Sequence, residues 1–454
     1  MLHAWEVIKQ LVSRVAKSSP PRTALLIFAA VIMIFTALLM APWSTANGRA
    51  PAFHDALFTA TSAVTVTGLT SVNTAEHWSP AGQIVILIGI QIGGLGILTL
   101  ASLVALSVTH HLGLRTRLVA EQGMSTGALG EVGSLIRTVV ICSLVVEAAL
   151  AAVLVPRLMV VENDVLDGLW HGVFYAVSAF NNAGFVVHPE GLQGAVNDPL
   201  VLWVIMIGVF LGSLGFPVLL VLWRFRWHIR RWGLHARLTM EVTTLLMVLG
   251  AVGYAALEWN HTDTIGEMTT GEKLQSSLFA SVMMRSGGFS VVENVMEHSE
   301  TMLMTSALMF VGGGSASTAG GIKVTTFAVI FLAFLAEARG RGESTAHGRT
   351  IPAQAVRVAV SVVAMGATFV LIATMALIIL TGEELERPLF EAISAFATVG
   401  LTSGLSEELP PAGLYVLAGL MFAGRVGIMT FAAALTLRQS RIRYRYPEGR
   451  PIIG

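Results

Sequence analysis

Long apolar stretches alternate with short polar ones along the whole chain. Eight apolar runs occupy residues 23–41, 82–108, 138–155, 200–223, 242–257, 302–336, 358–380 and 413–437. A helix of roughly 20 such residues crosses the ~30 Å hydrocarbon core of a bilayer. Residues 23–41 and 358–380 carry no charge at all. Within each successive pair of runs lies a shorter, mildly apolar stretch, at 52–63, 168–180, 272–284 and 387–396. These are too short to span and suit re-entrant half-helices. Each leads into a glycine followed by a bulky apolar residue: Thr65-Val66-Thr67-Gly68-Leu69, Asn181-Asn182-Ala183-Gly184-Phe185, Arg285-Ser286-Gly287-Gly288-Phe289 and Ala397-Thr398-Val399-Gly400-Leu401. The glycines are 116, 104 and 112 residues apart.

Non-helical backbone at membrane depth is tolerated only where it is buried in protein or faces water. The pattern therefore predicts an all-α polytopic membrane protein. Its unit is span, half-helix, glycine turn, span, repeated with four-fold pseudo-symmetry around a central pore over residues 23–112, 136–224, 239–337 and 356–438. That gives eight spanning helices and four re-entrant half-helices. The second span of each unit carries a further glycine signal, read as a helix break. Gly93-Gly94-Leu95-Gly96 follows Gly68 by 25 residues, and Gly212-Ser213-Leu214-Gly215-Phe216-Pro217 follows Gly184 by 28. Gly312 and Gly424 each follow their turn glycine by 24.

Composition agrees with the pattern. The chain is 54% hydrophobic and 12% charged, with a mean hydropathy of +0.73, whereas soluble proteins carry roughly 25% charge. No soluble domain of useful size is evident, and net charge is zero. The distribution of charge is informative. Lys9, Arg14, Lys17 and Arg22 precede the first span, which runs into Pro42 without an obvious cleavage site, so a signal peptide is not expected. These residues, the connections around 112–137 and 224–240, the segment 339–357 and the C-terminus hold most of the lysines and arginines. Only Arg49, Arg157, Lys273 and Arg387 fall on the glycine side. The positive-inside rule then places both termini in the cytoplasm and the glycine turns outward. The single cysteine, Cys142, lies in an apolar span and reads as a core residue.

Four glycine turns around one axis could aim backbone carbonyls inward as a cage for a dehydrated monovalent cation. The half-helices would point their partly negative C-terminal ends at it. The candidate cation-binding residues are Val66, Thr67, Gly68, Asn182, Ala183, Gly184, Ser286, Gly287, Gly288, Thr398, Val399 and Gly400. The segment Gly312-Gly313-Gly314-Ser315-Ala316-Ser317-Thr318-Ala319-Gly320-Gly321 has no large side chain and sits inside an apolar run. It should unwind, and a movable loop below the cage is a natural gate. Arg425, in Gly424-Arg425-Val426-Gly427, is a charge at membrane depth. It is expected to bind carbonyls of that loop or to repel cations. Glu147 reads as a structural pair and Glu391 as a tie behind the fourth turn, while Arg285 should brace the third turn from behind.

On these residues the chain resembles the potassium-translocating subunits of the Trk/Ktr/HKT superfamily, most closely its bacterial Ktr branch of KtrB-like chains. The likeness rests on Thr61–Leu69, Ser178–Phe185 and Ser394–Leu401, on Gly320-Gly321-Ile322-Lys323, and on Gly424-Arg425-Val426-Gly427. It covers about residues 21–447, and eight spans rather than ten favour Ktr over Trk. The resemblance implies potassium uptake through filter carbonyls, with K+ as substrate and Na+ as activator. It also implies a gate made of the glycine-rich loop and Arg425, and a homodimer with one pore per protomer in the bacterial inner membrane. A cytosolic ring of RCK-type, KtrA-like regulatory subunits would sit beneath and alone bind nucleotide (ATP or ADP). One departure is the third turn, where Ser286-Gly287 replaces the threonine-alanine pair usual in bacterial relatives.

Two other classes fit less well. A secondary carrier usually shows its broken helices in two halves rather than four quarters. A membrane enzyme needs a nucleophile or metal set at membrane depth. No histidine pair at helical ligand spacing and no Gly-x-Ser-x-Gly elbow occurs, so no catalytic residue is assigned.

Overall fold

The computed structural model describes residues 20–111, 130–192, 198–225 and 228–427. Lys9, Arg14 and Lys17, the basic C-terminal cluster, residues 112–129 of the first connection and residues 428–438 of the last unit lie outside that range. Helix α1 (Pro20–Leu39) leads to the half-helix α2 (Phe53–Thr65) and then to α3 (Pro80–His111). The second quarter contains α4 (Gly130–Val161), the half-helix α5 (Val165–Asn181), α6 (Pro199–Leu214) and α7 (Phe216–Phe225). The third contains α8 (Leu234–Glu258), the half-helix α9 (Thr270–Ser286), α10 (Ser299–Phe310) and α11 (Val324–Ala338). The fourth contains α12 (Ala353–Thr381), the half-helix α13 (Glu386–Ala397) and α14 (Pro411–Phe422), which ends in a π-helical turn at Ala423–Gly427.

The molecule is apolar on the outside as well as within. Leu245, Val248, Leu249 and Val252 on α8, and Leu371, Ile372, Met375 and Ile379 on α12, are all at least half exposed. An exposed apolar surface of this extent suits lipid rather than water. Among the described residues, Arg137–Val161, α8 and α12 are long and apolar enough to cross a membrane, and the bent α6–α7 pair makes a fourth. Leu25–Leu39, Pro80–Gly96, α11 and Pro411–Gly427 are shorter apolar helices. The half-helices, in contrast, are wrapped by protein: in α13 every residue from Phe390 to Ala397 is buried. Two of their starts, those of α5 and α9, are capped by side chains. Asp164 accepts from the Leu166 and Asp167 amides at the head of α5, and Thr269 with Glu272 forms a capping box on α9.

The expected glycine breaks have four different outcomes. Helix α3 runs unbroken through Gly93–Gly96, which corrects the expectation of a break there. The α6–α7 pair bends by 103° at Gly215, which takes φ +88°. Residues 311–323 leave the helix altogether, and Gly424 lies in the π-helical turn. What Gly93, Gly212 and Gly424 share is close packing. A Cβ on each would collide with the carbonyl of Val64, Phe180 or Phe396, each four residues before its turn glycine. These glycines let the second helix of a quarter lie directly on the end of its half-helix.

Candidate functional site

Three half-helices end in the same way. The backbone turns left-handed at Val66, Asn182 and Thr398, with φ of 56°, 60° and 48°. The next amide then reaches back five residues: Thr67 N–H donates to Ser62 O (2.8 Å), Ala183 N–H to Ser178 O (2.8 Å) and Val399 N–H to Ser394 O (2.9 Å). This Schellman closure satisfies the helix's last carbonyls and normally uses glycine. Placing the β-branched Val66 and Thr398 there costs roughly 1–3 kcal/mol each, and such strain clusters at functional sites. The same serine acts a second time. Ser62 Oγ accepts from Gly68 N–H (3.0 Å), Ser394 Oγ accepts from Gly400 N–H (3.1 Å), and Ser178 Oγ donates to Phe185 O (3.1 Å).

The third turn is built differently. Helix α9 stays right-handed through Gly287 (φ −92°), whose N–H makes an ordinary helical bond to Met283 O (2.9 Å). Six residues before Gly288 stands Val282, which has no hydroxyl. Ser286 Oγ has no partner among the described residues. Behind this turn lies a cavity of ≈ 10 Å³, lined in part by Met284, Phe289, Ser290 and Glu297, about the size of one water. Burial, with Glu258 nearby, pushes the Glu297 carboxyl up to about 8 against the opposing pull of the Tyr254 hydroxyl.

All four turn glycines nevertheless adopt positive φ: 99° at Gly68, 68° at Gly184, 71° at Gly288 and 97° at Gly400. They also touch in a closed cycle. A Cβ on Gly68 would strike Ala183 O and lie 3.1 Å from Gly184 Cα. One on Gly184 would lie 2.8 Å from Gly288 Cα and 3.0 Å from Gly287 O. One on Gly288 would strike Val399 O, and one on Gly400 would strike Thr67 O, 3.1 Å from Gly68 Cα. No side chain fits at any of the four positions. The four bulky residues that follow, Leu69, Phe185, Phe289 and Leu401, are all buried and anchor the turns. Four half-helix C-termini, each carrying about half a negative charge, therefore converge on one point.

Residues 311–323 cross beneath this ring. The Thr318 hydroxyl donates to the second turn, at Asn182 Oδ1 (2.9 Å) and Phe180 O (3.2 Å). Gly320 packs against Ala397 O and the Thr398 side chain in the fourth turn. Second and fourth are opposite corners, so residues 318–320 bridge opposite sides of the ring. Its backbone is satisfied by the other broken helix: Gly314 N–H donates to Ser213 O (2.7 Å), Thr318 N–H to Gly212 O (3.3 Å), and Phe216 N–H to Ala316 O (3.1 Å). Two interrupted helices at membrane depth thus complete each other's hydrogen bonds.

The buried charges are arranged around these turns. Lys323, rather than the expected Arg425, binds the loop carbonyls, at Ala319 O (2.5 Å) and Gly320 O (3.4 Å). Arg425 Nη1 approaches Thr398 Oγ1 at 3.4 Å, and its Nε and Nη2 have no partner among the described residues. Arg285 donates to Thr243 O (2.9 Å) and Gly312 O (3.1 Å), so it ties α8 to the start of the loop rather than to its own turn. Glu147 accepts from Ser143 (2.7 Å), Gln91 (3.1 Å) and Asn181 (3.1 Å), a network behind the second turn. Glu391 accepts from Ser403 N–H (2.8 Å) and the Thr402 hydroxyl and holds the segment after the fourth turn. Gln91 was not singled out in the sequence, Thr318 was expected in the gate but not as a partner of the second turn, and Ser62, Ser178 and Ser394 stood in the quoted motifs without their clamping role. The serines had a legible signal, a Ser six residues before the glycine, present at three turns and missing at the third.

A helical membrane protein whose half-helices meet in a glycine ring belongs to the class that handles small ions rather than to the enzymes. The TrkH family, described as cation transport proteins, matches residues 14–442, and the chain belongs to that family. It is 36% identical to Ktr system potassium uptake protein B of Bacillus subtilis (strain 168) over 447 residues, which is 98% of this chain and 99% of that protein. It is 34% identical to the Vibrio alginolyticus protein of the same name, over 97% of this chain and 96% of the relative. It is also 33% identical to potassium/sodium uptake protein NtpJ of Enterococcus hirae, over 94% and 95%. The crystal structure of the potassium transporter TrkH from Vibrio parahaemolyticus superposes with a TM-score of 0.71 at 17% identity, covering 90% of this chain and 83% of that one. That likeness concerns the fold.

Proposed function

We propose that this chain is the potassium-translocating subunit of a Ktr-type uptake system. Potassium passes through the ring formed by Val66–Gly68, Asn182–Gly184, Ser286–Gly288 and Thr398–Gly400, shedding its water onto backbone carbonyls. The observation that carries this reading is the closed cycle of four positive-φ glycines at the ends of four converging half-helices. Each unit of two spans and a half-helix (23–112, 136–224, 239–337, 356–438) contributes one corner, which makes eight spans around one pore.

The 312–321 segment acts as the gate, because it runs from the second to the fourth corner across the axis. Lys323 holds its carbonyls, and Arg425 places a cation beside the fourth turn. The relatives' names describe potassium uptake by a Ktr system, and potassium/sodium uptake in one case. By analogy the chain works as a homodimer on a cytosolic ring of nucleotide-binding subunits, with sodium as an activator. Charge distribution supports cytoplasmic termini and outward-facing turns.

Growth of potassium-starved cells tests the reading. Expression of the wild type should restore uptake, and the single variants Gly68→Ser, Gly184→Ser, Gly288→Ser and Gly400→Ser should show weaker potassium uptake or weaker selectivity over sodium. Unchanged uptake kinetics in all four would overturn it.

A further inference from the structure

Outside the ring, two groups of side chains bring one carboxylate and two imidazoles together: Glu162, His171 and His188, and Glu258, His261 and His298. They differ in what the carboxylate already does. Glu258 is fully buried, and both of its oxygens are occupied. Oε1 accepts from His298 N–H (2.9 Å) and the Thr301 hydroxyl, and Oε2 accepts from Thr264 Oγ1 (2.8 Å) and lies 2.8 Å from His261 Nδ1. That group holds a loop together, and an ion entering it would break folding bonds.

Glu162 has only the two imidazoles as side-chain partners among the described residues. His171 Nδ1 lies 2.9 Å from Oε2 and His188 Nε2 lies 3.0 Å from Oε1. The three side chains are 15–30% exposed, so the group is open to solution. One candidate ligand atom from each lies within 4.8 Å of the others. Zinc with bonds of about 2.0–2.1 Å needs its ligands about 3.4 Å apart, a small closure from this arrangement. The other ring nitrogen of His188 is held by the hydroxyl of the buried Tyr175, the outer support that fixes a metal-binding imidazole.

We propose that Glu162, His171 and His188 form a site for a divalent transition ion of the zinc class, with three protein ligands and one vertex open to solvent. Two imidazole nitrogens and one carboxylate oxygen select such ions over Na+, K+ or Mg2+. The site joins three elements around the second turn. Glu162 follows the end of α4, His171 belongs to the half-helix α5, and His188 comes four residues after Gly184. An occupied site therefore staples the chain leaving the second corner to the end of its first helix.

The test is zinc chloride titration of the full chain, purified in detergent through a tag without histidine, against a competing chromogenic chelator. The wild type and the control His54→Ala should each bind one zinc per protomer at this site. Binding in His171→Ala, His188→Ala and Glu162→Gln should be at least about 10-fold weaker. Where an alanine variant does not elute as folded protein, His171→Asn and His188→Gln replace it. Zinc should also raise the thermal unfolding temperature of the wild type but not of the variants. Equal zinc affinity in wild type and variants, or no zinc bound by the wild type, would overturn the proposal.

Discussion

The third turn and the other three solve one problem by different means. The first, second and fourth close their half-helices with a left-handed residue and a serine that takes up the exposed backbone; at two of them it accepts directly from the turn glycine. The third runs one residue further as a right-handed helix, offers Val282 where the serine should be, and backs onto a small cavity. It is also the quarter whose second span unwinds into the crossing loop. The difference teaches that ring geometry is set by the glycines, whereas ring stiffness is set by what clamps them. The first, second and fourth corners are held from behind by a serine hydroxyl, a bond that Val282 cannot make at the third.

The strongest challenge to this comparison is a pair of glycines. Gly400→Ser drives a side chain into Thr67 O in a left-handed position and should lower rubidium uptake by more than about tenfold. Gly287→Ala, in right-handed backbone where the added Cβ meets the flexible Met283 thioether and comes within 3.0 Å of Val209 Cγ1, should lower it by only about two- to threefold. Equal losses, read as initial uptake rates, would remove the distinction between corners. Next in size is Thr318→Val, which removes the loop's bonds to Asn182 and Phe180. It should raise flux several-fold, whereas lower flux in normally inserted protein would count against an obstructing loop.

A smaller effect is expected from the serine clamp. Ser394→Ala leaves the buried Gly400 N–H without its partner, a penalty of about 1–3 kcal/mol. It should raise sodium permeation relative to potassium, and Val282→Ser should shift the ratio the other way. The mildest test concerns Glu297 behind the third turn. Its folded-state value of about 8 exceeds the ordinary 4.5, so the neutral form favours the folded state. That stability is fully present below pH 4.5 and is lost as pH rises through 8, with a limiting slope of about 1.4 kcal/mol per pH unit. Thermal melts between pH 5 and 9 should therefore fall in the wild type more than in Glu297→Gln.

Much of this architecture was legible in the residues. The stretch 52–63 became Phe53–Thr65, and 387–396 became Glu386–Ala397, because a short apolar helix wrapped in protein has few alternatives at membrane depth. The Gly312–Gly321 segment unwound as its composition required. The glycines of the second spans misled at Gly93, because close approach to a carbonyl and a helix break leave the same residue in the sequence. Which cation binds the loop could not be read either. Lys323 and Arg425 both lie at membrane depth, and only the path of the loop brings its carbonyls to Lys323. The closure of three half-helices by Val66, Asn182 and Thr398 was hidden, since nothing in a β-branched residue or an asparagine announces left-handed backbone there.

The central claim is that cations pass through the glycine ring. Rubidium flux into vesicles reconstituted with wild type and the four single glycine-to-serine variants, under a fixed membrane potential, tests it most directly. Flux is expected in the wild type, and its loss, or loss of selectivity over sodium, in every variant. Wild-type flux and selectivity in all four would contradict it.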